Sequence, residues 1–213
     1  MTPSALLLAL LWLPLAGAPR APEGDITLKI DLTRREVRGD ASAPVLMLEF
    51  SDFKCHACEK FSLTTMPGLE KDFIETHKIQ MAFVDFPLVE DSAYTNVAES
   101  VRCAGKQGKY WPMHDLLWQK IGALADEHLL GYASEIGVDK APFKACLEQD
   151  AARSAVMKDL NWAYSLGLSS RPTFFVGRRV KDTTWTGRFV VGAQSPVVFR
   201  SLIERMLPPA PAP

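Results

Sequence analysis

Two cysteines three residues apart, Cys55 and Cys58, are the side chains of this 213-residue chain best suited to chemistry. A strand-length apolar run at residues 45–50 precedes them, and apolar residues at helical spacing follow them. Cysteines one turn apart at the start of a helix lie on one face, close enough to form a disulfide. The free N–H groups and the positive dipole at that end stabilise a thiolate on the first sulfur. The pattern therefore predicts a redox-active dithiol in which Cys55 reacts and Cys58 resolves.

A metal site is the main alternative for this motif. Zinc takes four ligands, usually with a second closely spaced pair, but Cys103 and Cys146 stand far apart with no Cys or His at ligand spacing. Glu59 occupies the position at which a haem-attachment motif carries histidine. The sequence therefore favours redox chemistry, and we expect no metal and no cofactor.

Polar residues around the two cysteines are candidates for supporting roles. Lys54 and His56 place positive or proton-sharing groups beside Cys55. Glu49 lies on the preceding strand, which its apolar neighbours predict to be buried. Burial raises the pKa of a carboxyl group, so Glu49 is expected to exchange protons with Cys58. The alternative is a strand residue that faces solvent at a sheet edge.

The segment at residues 49–58, Glu-Phe-Ser-Asp-Phe-Lys-Cys-His-Ala-Cys, resembles the active-site segment of DsbA-like thiol–disulfide oxidoreductases, which have a thioredoxin fold. The resemblance continues through much of residues 38–207. It implies an α/β, thioredoxin-like fold with an inserted all-helical domain. The corresponding organisation is a signal peptide at 1–18, a thioredoxin-like domain at 25–88 and 166–207, a helical insertion at 89–165 and a disordered tail at 208–213.

A second stretch, Ser-Ser-Arg-Pro-Thr-Phe-Phe-Val-Gly at residues 169–177, places Pro172 at the head of an apolar strand. Proline cannot donate a ladder hydrogen bond, so it is confined to strand starts and sheet edges. The resemblance implies that Pro172 is cis and faces the first cysteine, and that Arg171 and Thr173 beside it bind an extended substrate segment. A turn proline without function is the alternative, and the Cys-x-x-Cys motif argues against it.

Two positions depart from the best-known members of the family. His-Ala separates the cysteines, where Pro-His is common, so His56 stands one place earlier. Arg171 replaces a small or β-branched residue. Its guanidinium either reaches the active site and stabilises the Cys55 thiolate, or points outward and selects acidic clients.

The remaining cysteines, Cys103 and Cys146, lie in stretches that resemble family features, residues 102–111 and 143–147. The simplest interpretation is a structural disulfide that joins two helices. By the chain-entropy model, closing a loop of roughly 40 residues contributes about 4 kcal/mol. A second redox pair is the alternative, but it lacks the context of a helix start.

Composition and the N-terminus indicate the compartment. With 47% hydrophobic and 23% charged residues the chain suits a soluble domain, and a net charge of −1 argues against nucleic-acid binding. Residues 1–18 are typical of a secretory signal, with an apolar run, a proline break and small residues for cleavage. A retained anchor is the alternative, although the apolar run is shorter than a spanning helix. Four cysteines in two pairs fit an oxidising compartment, so we expect export to the periplasm or cell envelope.

The rest of the chain alternates between strand and helix patterns. Strands are predicted at 26–30, 79–86, from 172 onward and at 185–191, with several helices at 91–166 and a final helix after Ser195. Residues 31–42 are interpreted as charged connecting chain with a turn at 38–40. His114 and His128 are interpreted as surface or capping residues. The final helix is expected to bury Val197, Val198, Leu202, Ile203 and Met206.

These observations predict an extracytoplasmic oxidoreductase that donates its disulfide to exported cysteine-containing proteins through a mixed disulfide. The resemblance implies reoxidation by a quinone-linked membrane protein. We expect a monomer, because no dimerisation module is visible. A disulfide isomerase or reductase of the same fold, and a peptide-binding chaperone-like module, are the alternatives.

Overall fold

The structure is a computed structural model that describes residues 24–33, 35–87 and 92–209. The predicted signal peptide and residues 210–213 of the predicted tail lie outside these ranges. The described residues form the strands β1 Ile26–Lys29, β2 Val37–Gly39, β3 Val45–Ser51, β4 Ile79–Asp85, β5 Thr173–Lys181 and β6 Thr184–Val191. Their α-helices are α1 His56–Thr64, α2 Met66–Leu69, α3 Ser92–Gly105, α4 Tyr110–Gln119, α5 Asp126–Glu135, α6 Lys140–Leu147, α7 Asp150–Ser165 and α8 Pro196–Met206. No helix in the described ranges is long and apolar enough to cross a bilayer.

The strands form one mixed sheet in the order β1-β6-β5-β3-β4-β2. Strand β3 runs parallel to β4 and antiparallel to β5, and all seven of its residues are buried. Because of these directions, the last residues of β3 lie beside the first residues of β5 at one end of these central strands, where Phe50 pairs with Thr173. The residues that follow β3 therefore lie beside those that precede β5. The sheet thus brings the Cys-x-x-Cys segment next to Pro172.

Helices cover both faces of this sheet. On one face, Phe174 of β5 packs against Phe61 of α1 and Phe199 of α8. On the other face, Leu48 of β3 belongs to a cluster with Leu160 of α7. Helices α3 to α7 follow β4 and precede β5, and much of their apolar surface forms a further cluster, which also includes Phe53, Cys58 and Phe83. The predicted α/β class with an all-helical insertion is therefore confirmed.

One interpretation was wrong at residues 37–39, which form the edge strand β2 and pair with β4 instead of connecting other elements. The Arg38 guanidinium bonds to Asp115 at 2.6 Å and stacks 4.3 Å from the centre of the Trp111 ring. Gly39 has φ +94°, and a Cβ there would lie 2.9 Å from the Ile79 carbonyl oxygen. A short edge strand with a charged side chain has no apolar alternation, so the sequence pattern did not predict it.

The final helix buries Leu202, Ile203 and Met206 as predicted, but the prediction was wrong for Val197 and Val198. Val197 and Val198 are exposed, whereas Phe199 is fully buried. Both valines precede Phe199, the first buried residue of the helix. The buried positions follow the i, i+3, i+4, i+7 pattern of one helical face and are Phe199, Leu202, Ile203 and Met206.

The helical insertion contains a cross-link between α3 and α6. Cys103 and Cys146 form a disulfide with 5.7 Å between their Cα atoms, and both residues are buried. The two helices belong to the same apolar cluster, which also includes Phe143. The bond therefore lies inside the core of the insertion.

Replacing both Cys103 and Cys146 with alanine is expected to lower the free energy of unfolding by about 4 kcal/mol, because the unfolded chain regains the entropy of the opened loop. Urea unfolding at neutral pH without reductant, followed by tryptophan fluorescence, measures this change. Mass spectrometry of the Cys55–Cys58 pair provides the control that the other disulfide is intact. A loss below about 1 kcal/mol would contradict a stabilising role for the cross-link.

Candidate active site

The dithiol lies at the start of α1, immediately after the central strand. Cys55 caps the helix, and its Sγ accepts a hydrogen bond from the backbone N–H of Cys58 at 3.2 Å. The two residues form a disulfide with 5.2 Å between their Cα atoms. Cys55 is partly exposed, whereas Cys58 is 0% exposed. An incoming thiolate can therefore reach the sulfur of Cys55 and not that of Cys58.

The turn before the helix is held by Asp52. The backbone N–H of Cys55 donates to the Asp52 carbonyl oxygen at 3.0 Å, and the N–H of Lys54 donates to its carboxylate at 3.0 Å. An Asx turn of this kind fixes the entry of the chain into the helix. It therefore orients Cys55 relative to the end of β3.

His56 faces solvent, with 94% of its side chain exposed. Its Nδ1 lies 2.8 Å from an Oε atom of Glu59, one turn further along the same helix. The residue therefore sits on the rim of the site, where it can meet a client protein. Lys54 and Ala57 are exposed on the same rim.

The segment before β5 approaches the dithiol as the sheet topology requires. The carbonyl oxygen of Arg171 lies 3.8 Å from Cys55 Sγ, and the peptide bond between Arg171 and Pro172 is cis. Thr173 is buried at the first position of β5, and its hydroxyl donates to the Ser170 carbonyl oxygen at 2.6 Å. The structure thus brings Cys55, Arg171 and Pro172 together at one edge of the sheet.

Glu49 lies beneath this site on β3. Its register neighbours are Phe83 of β4 and Phe174 of β5, and Phe174 contacts Phe61 of α1 at 4.3 Å between ring centres. The carboxyl group therefore points to the face of the sheet on which the α1 helix, with Cys58, packs. Its side chain is 0% exposed, so the alternative of a solvent-facing edge residue is wrong.

Burial raises the pKa of Glu49 to about 8, against smaller lowering effects of the Ser51 hydroxyl and the Arg38 guanidinium. Near neutral pH the group is then mostly protonated and can still lose its proton. A carboxyl group with this pKa can both give and accept a proton at the pH where thiol–disulfide exchange occurs.

Replacing Glu49 with glutamine is expected to remove a pH dependence of stability. Between the ordinary pKa of 4.5 and the folded value of about 8 the folded chain binds the extra proton, so stability falls as the pH rises through this range. The full penalty at high pH is a few kcal/mol. Urea unfolding at about pH 5 and about pH 9 measures it for both proteins.

The exposed Glu75 provides the matched control for this prediction, because Glu75→Gln removes the same charge at the surface. We expect the wild type and the Glu75 variant to lose stability in parallel between the two pH values. The Glu49 variant should lose less by a few kcal/mol. Three parallel profiles would contradict a buried, shifted carboxyl group.

An aromatic cluster packs next to the dithiol, and the place of His114 within it was not predicted from the sequence. Phe53 stacks on Phe83 at 5.1 Å and on Trp118 at 4.7 Å between ring centres, and the cluster of buried residues around them includes Cys58. His114 is 3% exposed and touches the edges of the same rings, so its interpretation as a surface or capping residue was wrong. The spacing of Trp111, His114 and Trp118 on one face of α4 is the signal that could have revealed it.

The hydrogen bonds of His114 define its tautomer. Trp118 Nε1 donates to His114 Nε2 at 3.2 Å, so the ring proton is on Nδ1, which donates to Asp115 at 2.8 Å. Burial lowers the pKa of His114, against the hydrogen bond and charge of Asp115. This neutral histidine packs the inner wall of the site. Within the ranges described above, no group of three or more side chains is placed to hold a metal ion.

Comparisons with known proteins agree with this geometry. A family model described as Thioredoxin matches residues 33–188. The Probable disulfide bond formation protein D of Bacillus anthracis is 30% identical over 146 residues, which cover 65% of this chain and 67% of that protein. The Na(+)/H(+) antiporter NhaA 1 of Salinispora arenicola is 34% identical over 157 residues, which cover 73% of this chain and 24% of the antiporter. The chain thus spans about a quarter of the length of this relative.

Solved structures agree at the level of the fold. Wolbachia pipientis alpha-DsbA1 superimposes with a TM-score of 0.72 at 22% identity, over 83% of this chain and 92% of that chain. Oxidised BdbD from Bacillus subtilis has a TM-score of 0.72 at 21% identity, over 85% of this chain and 97% of that chain. The matched family model and the Bacillus anthracis relative show that the chain belongs to the thioredoxin-like family, together with the disulfide bond formation proteins.

Proposed function

We propose that this chain is an extracytoplasmic thiol–disulfide oxidoreductase that donates the Cys55–Cys58 disulfide to exported proteins. The observation that carries this proposal is the contrast between the two sulfurs of one disulfide, since Cys55 is accessible at a helix start and Cys58 is fully buried. The relatives named disulfide bond formation protein D support the same reaction class.

The first step of the exchange is attack of a client thiolate on Cys55 Sγ. A client–Cys55 disulfide forms, the Cys55–Cys58 bond breaks, and the electron pair leaves on Cys58 sulfur. That thiolate is buried, so it requires a proton, and Glu49 on the strand beneath α1 is the residue we assign to supply it. In this proposal Glu49 therefore exchanges a proton with the buried sulfur of Cys58.

The second step releases the oxidised client. A second client thiolate attacks the client sulfur of the mixed disulfide, and Cys55 leaves as a thiolate. The N–H of Cys58 already points at this sulfur at 3.2 Å, and the helix dipole adds to its stabilisation. The client has then lost two electrons, and the two enzyme sulfurs have gained them. Stabilisation of the leaving Cys55 thiolate makes the pair a stronger oxidant.

We assign client binding to the segment beside the sulfur. The backbone of Arg171 and Thr173 flanks Pro172, and the Arg171 carbonyl oxygen at 3.8 Å from Cys55 Sγ can align an extended client segment. His56 on the rim is the exposed neighbour that such a segment would meet.

We also propose export and reoxidation by a membrane partner. Two disulfides within one chain fit an oxidising compartment, and the apolar N-terminal segment supports an exported protein. The family implies a quinone-linked membrane protein as the reoxidant. A monomer remains our expectation for the working form.

Equilibration with glutathione buffers of graded ratio tests the direction of the reaction. We expect a reduction potential less negative than about −180 mV, because the accessible cysteine is stabilised as a thiolate. Alkylation of free thiols followed by mass spectrometry measures the reduced fraction at each ratio. A potential near the −270 mV typical of thioredoxin would instead select a reductase and reject the oxidase.

A further inference from the structure

The side chain of Arg171, whose backbone lies beside the dithiol, stacks on the ring of Phe86. Its guanidinium carbon lies 4.6 Å from the centre of the Phe86 ring, and Tyr164 packs edge-on against the same ring at 5.6 Å between centres. Phe86 itself is fully buried and anchored to β3, since its N–H donates to the Ser51 carbonyl oxygen at 2.8 Å. The stack therefore fixes the plane of the guanidinium against a rigid support.

The guanidinium of Arg171 includes a donor that finds no partner in the described chain. Nε is buried and has no hydrogen-bond partner, and no salt bridge to a described residue engages the side chain. The Asp52 carboxylate attracts it electrostatically. A guanidinium presents five N–H donors in a planar fork that fits a carboxylate. Arg171 is only partly exposed, so a carboxylate that reaches its terminal nitrogens is screened less by water than at a fully exposed arginine.

The position of residue 171 relative to the reacting sulfur defines which client residues pass beside it. The carbonyl oxygen of Arg171 is 3.8 Å from Cys55 Sγ, so a client cysteine bonded to Cys55 must pass beside residue 171. Side chains on adjacent extended segments lie about 5 Å apart when directly opposite and about 7–8 Å apart on the diagonal. The client residues within about two positions of the reactive cysteine are therefore those whose side chains reach the guanidinium.

We propose that Arg171, supported by Phe86, forms a carboxylate subsite that selects client segments carrying aspartate or glutamate within about two residues of the reactive cysteine. The proposal rests on the proposed function, since it uses the same client position. It assigns to Arg171 a specificity role that is separate from its backbone contact with the client.

Three otherwise identical peptides test this subsite, with Asp, Asn or Lys two positions before the reactive cysteine. Their oxidation by the wild type gives kcat/KM, and serine analogues of the cysteines give Kd for the oxidised protein. We expect the Asp peptide to be preferred over the Asn peptide about tenfold in both measurements, and the Lys peptide to be the poorest. In Arg171→Thr the Asp-to-Asn ratio should fall below about twofold, and Arg171→Lys should retain an intermediate ratio.

Arg178→Thr is the matched control, because Arg178 is exposed on β5 at the end of the sheet remote from the dithiol and loses the same charge. This variant should keep the Asp preference in full. Equal binding of the three peptides by the wild type would overturn the subsite. The subsite would also be overturned if Arg171→Thr oxidised all three peptides more slowly by the same factor and raised the titration midpoint of the Cys55 thiol. The guanidinium would then act on the sulfur and not on the client. An Asp preference in binding without oxidation of any peptide would support the subsite and reject the oxidase.

Discussion

Cys58→Ser is expected to accumulate a stable mixed disulfide through Cys55, whereas Cys55→Ser is expected to form none. In the first variant the accessible thiolate of Cys55 attacks a client disulfide and forms a covalent adduct, but the sulfur that would release it is missing. In the second variant the remaining sulfur is 0% exposed beneath the helix, so a client disulfide cannot approach it. Turnover should fall on the order of 1000-fold or more in both variants.

Acid quenching of each variant after incubation with a disulfide-bonded peptide, followed by non-reducing mass spectrometry, measures the adduct. The Cys55→Ser/Cys58→Ser double variant provides the background, since the other two cysteines are joined to each other. An adduct on Cys58 in the Cys55 variant would refute the assignment of the attacking sulfur. If the Cys55→Ser variant binds peptide as the wild type does but no longer oxidises it, the protein is a catalyst and not a chaperone-like peptide-binding module.

The parts of the site that are local in sequence could be predicted. The strand, the turn and the paired cysteines are adjacent along the chain. The apolar pattern and the electrostatics of a helix N-terminus are therefore enough to predict their arrangement. The proximity of residues 171–173 to Cys55 was predicted only from the family resemblance, because a contact between residues so distant in sequence depends on the order of the strands. The burial of Glu49 could be predicted because its strand neighbours are apolar on both sides.

The parts that depend on several distant side chains could not be predicted. Arg38 lies on an edge strand that has no apolar alternation. Its hydrogen bond to Asp115 and its contact with the Trp111 ring depend on the packing of α4 beside that strand. His114 is buried by Trp111 and Trp118 of its own helix and by Phe53 and Phe83 from two other segments. Helix periodicity indicates only the contacts within α4. The stack of Arg171 on Phe86 likewise joins residues that the sequence separates widely. Propensity and spacing describe one element at a time, whereas these contacts arise from packing between elements.

A buried network of charges is the clearest example of such packing. Arg102 of α3 donates to Asp85 at the end of β4 and to Asp159 of α7, each at 2.6 Å. Arg35 binds the same Asp159 with two hydrogen bonds, at 2.9 and 3.1 Å. Burial opposes the charge of Arg102, but the carboxylates of Asp85 and Asp159 outweigh it and raise the pKa of the guanidinium. The network therefore ties the helical insertion to the sheet through one shared cation.

The network also bears on the active site. Asp85 is opposite Ser51 in the register of β3 and β4, and the following residue, Phe86, is hydrogen-bonded to Ser51. Phe86 in turn supports the Arg171 side chain. The end of the central strands from which the dithiol and its neighbouring segment extend is thus anchored by ion pairs with Arg102 and Asp159 of the insertion.

Replacing Arg102 with methionine is expected to lower the free energy of unfolding by about 3 kcal/mol or more at pH 7, because Asp85 is then buried without its cation. An unpaired buried carboxyl group favours its neutral form, so the variant should regain part of this loss as the pH falls. Urea unfolding at neutral and mildly acidic pH measures both effects.

The double variant Arg102→Met/Asp85→Asn should be more stable than the single variant, since it removes the uncompensated charge. Arg200→Met is the matched control, because it breaks a surface pair with Asp72 whose side chains are 38% exposed, and it should cost less than about 1 kcal/mol. Equal losses for Arg102→Met and Arg200→Met would mean that the shared Arg102 cation does not hold the insertion to the sheet.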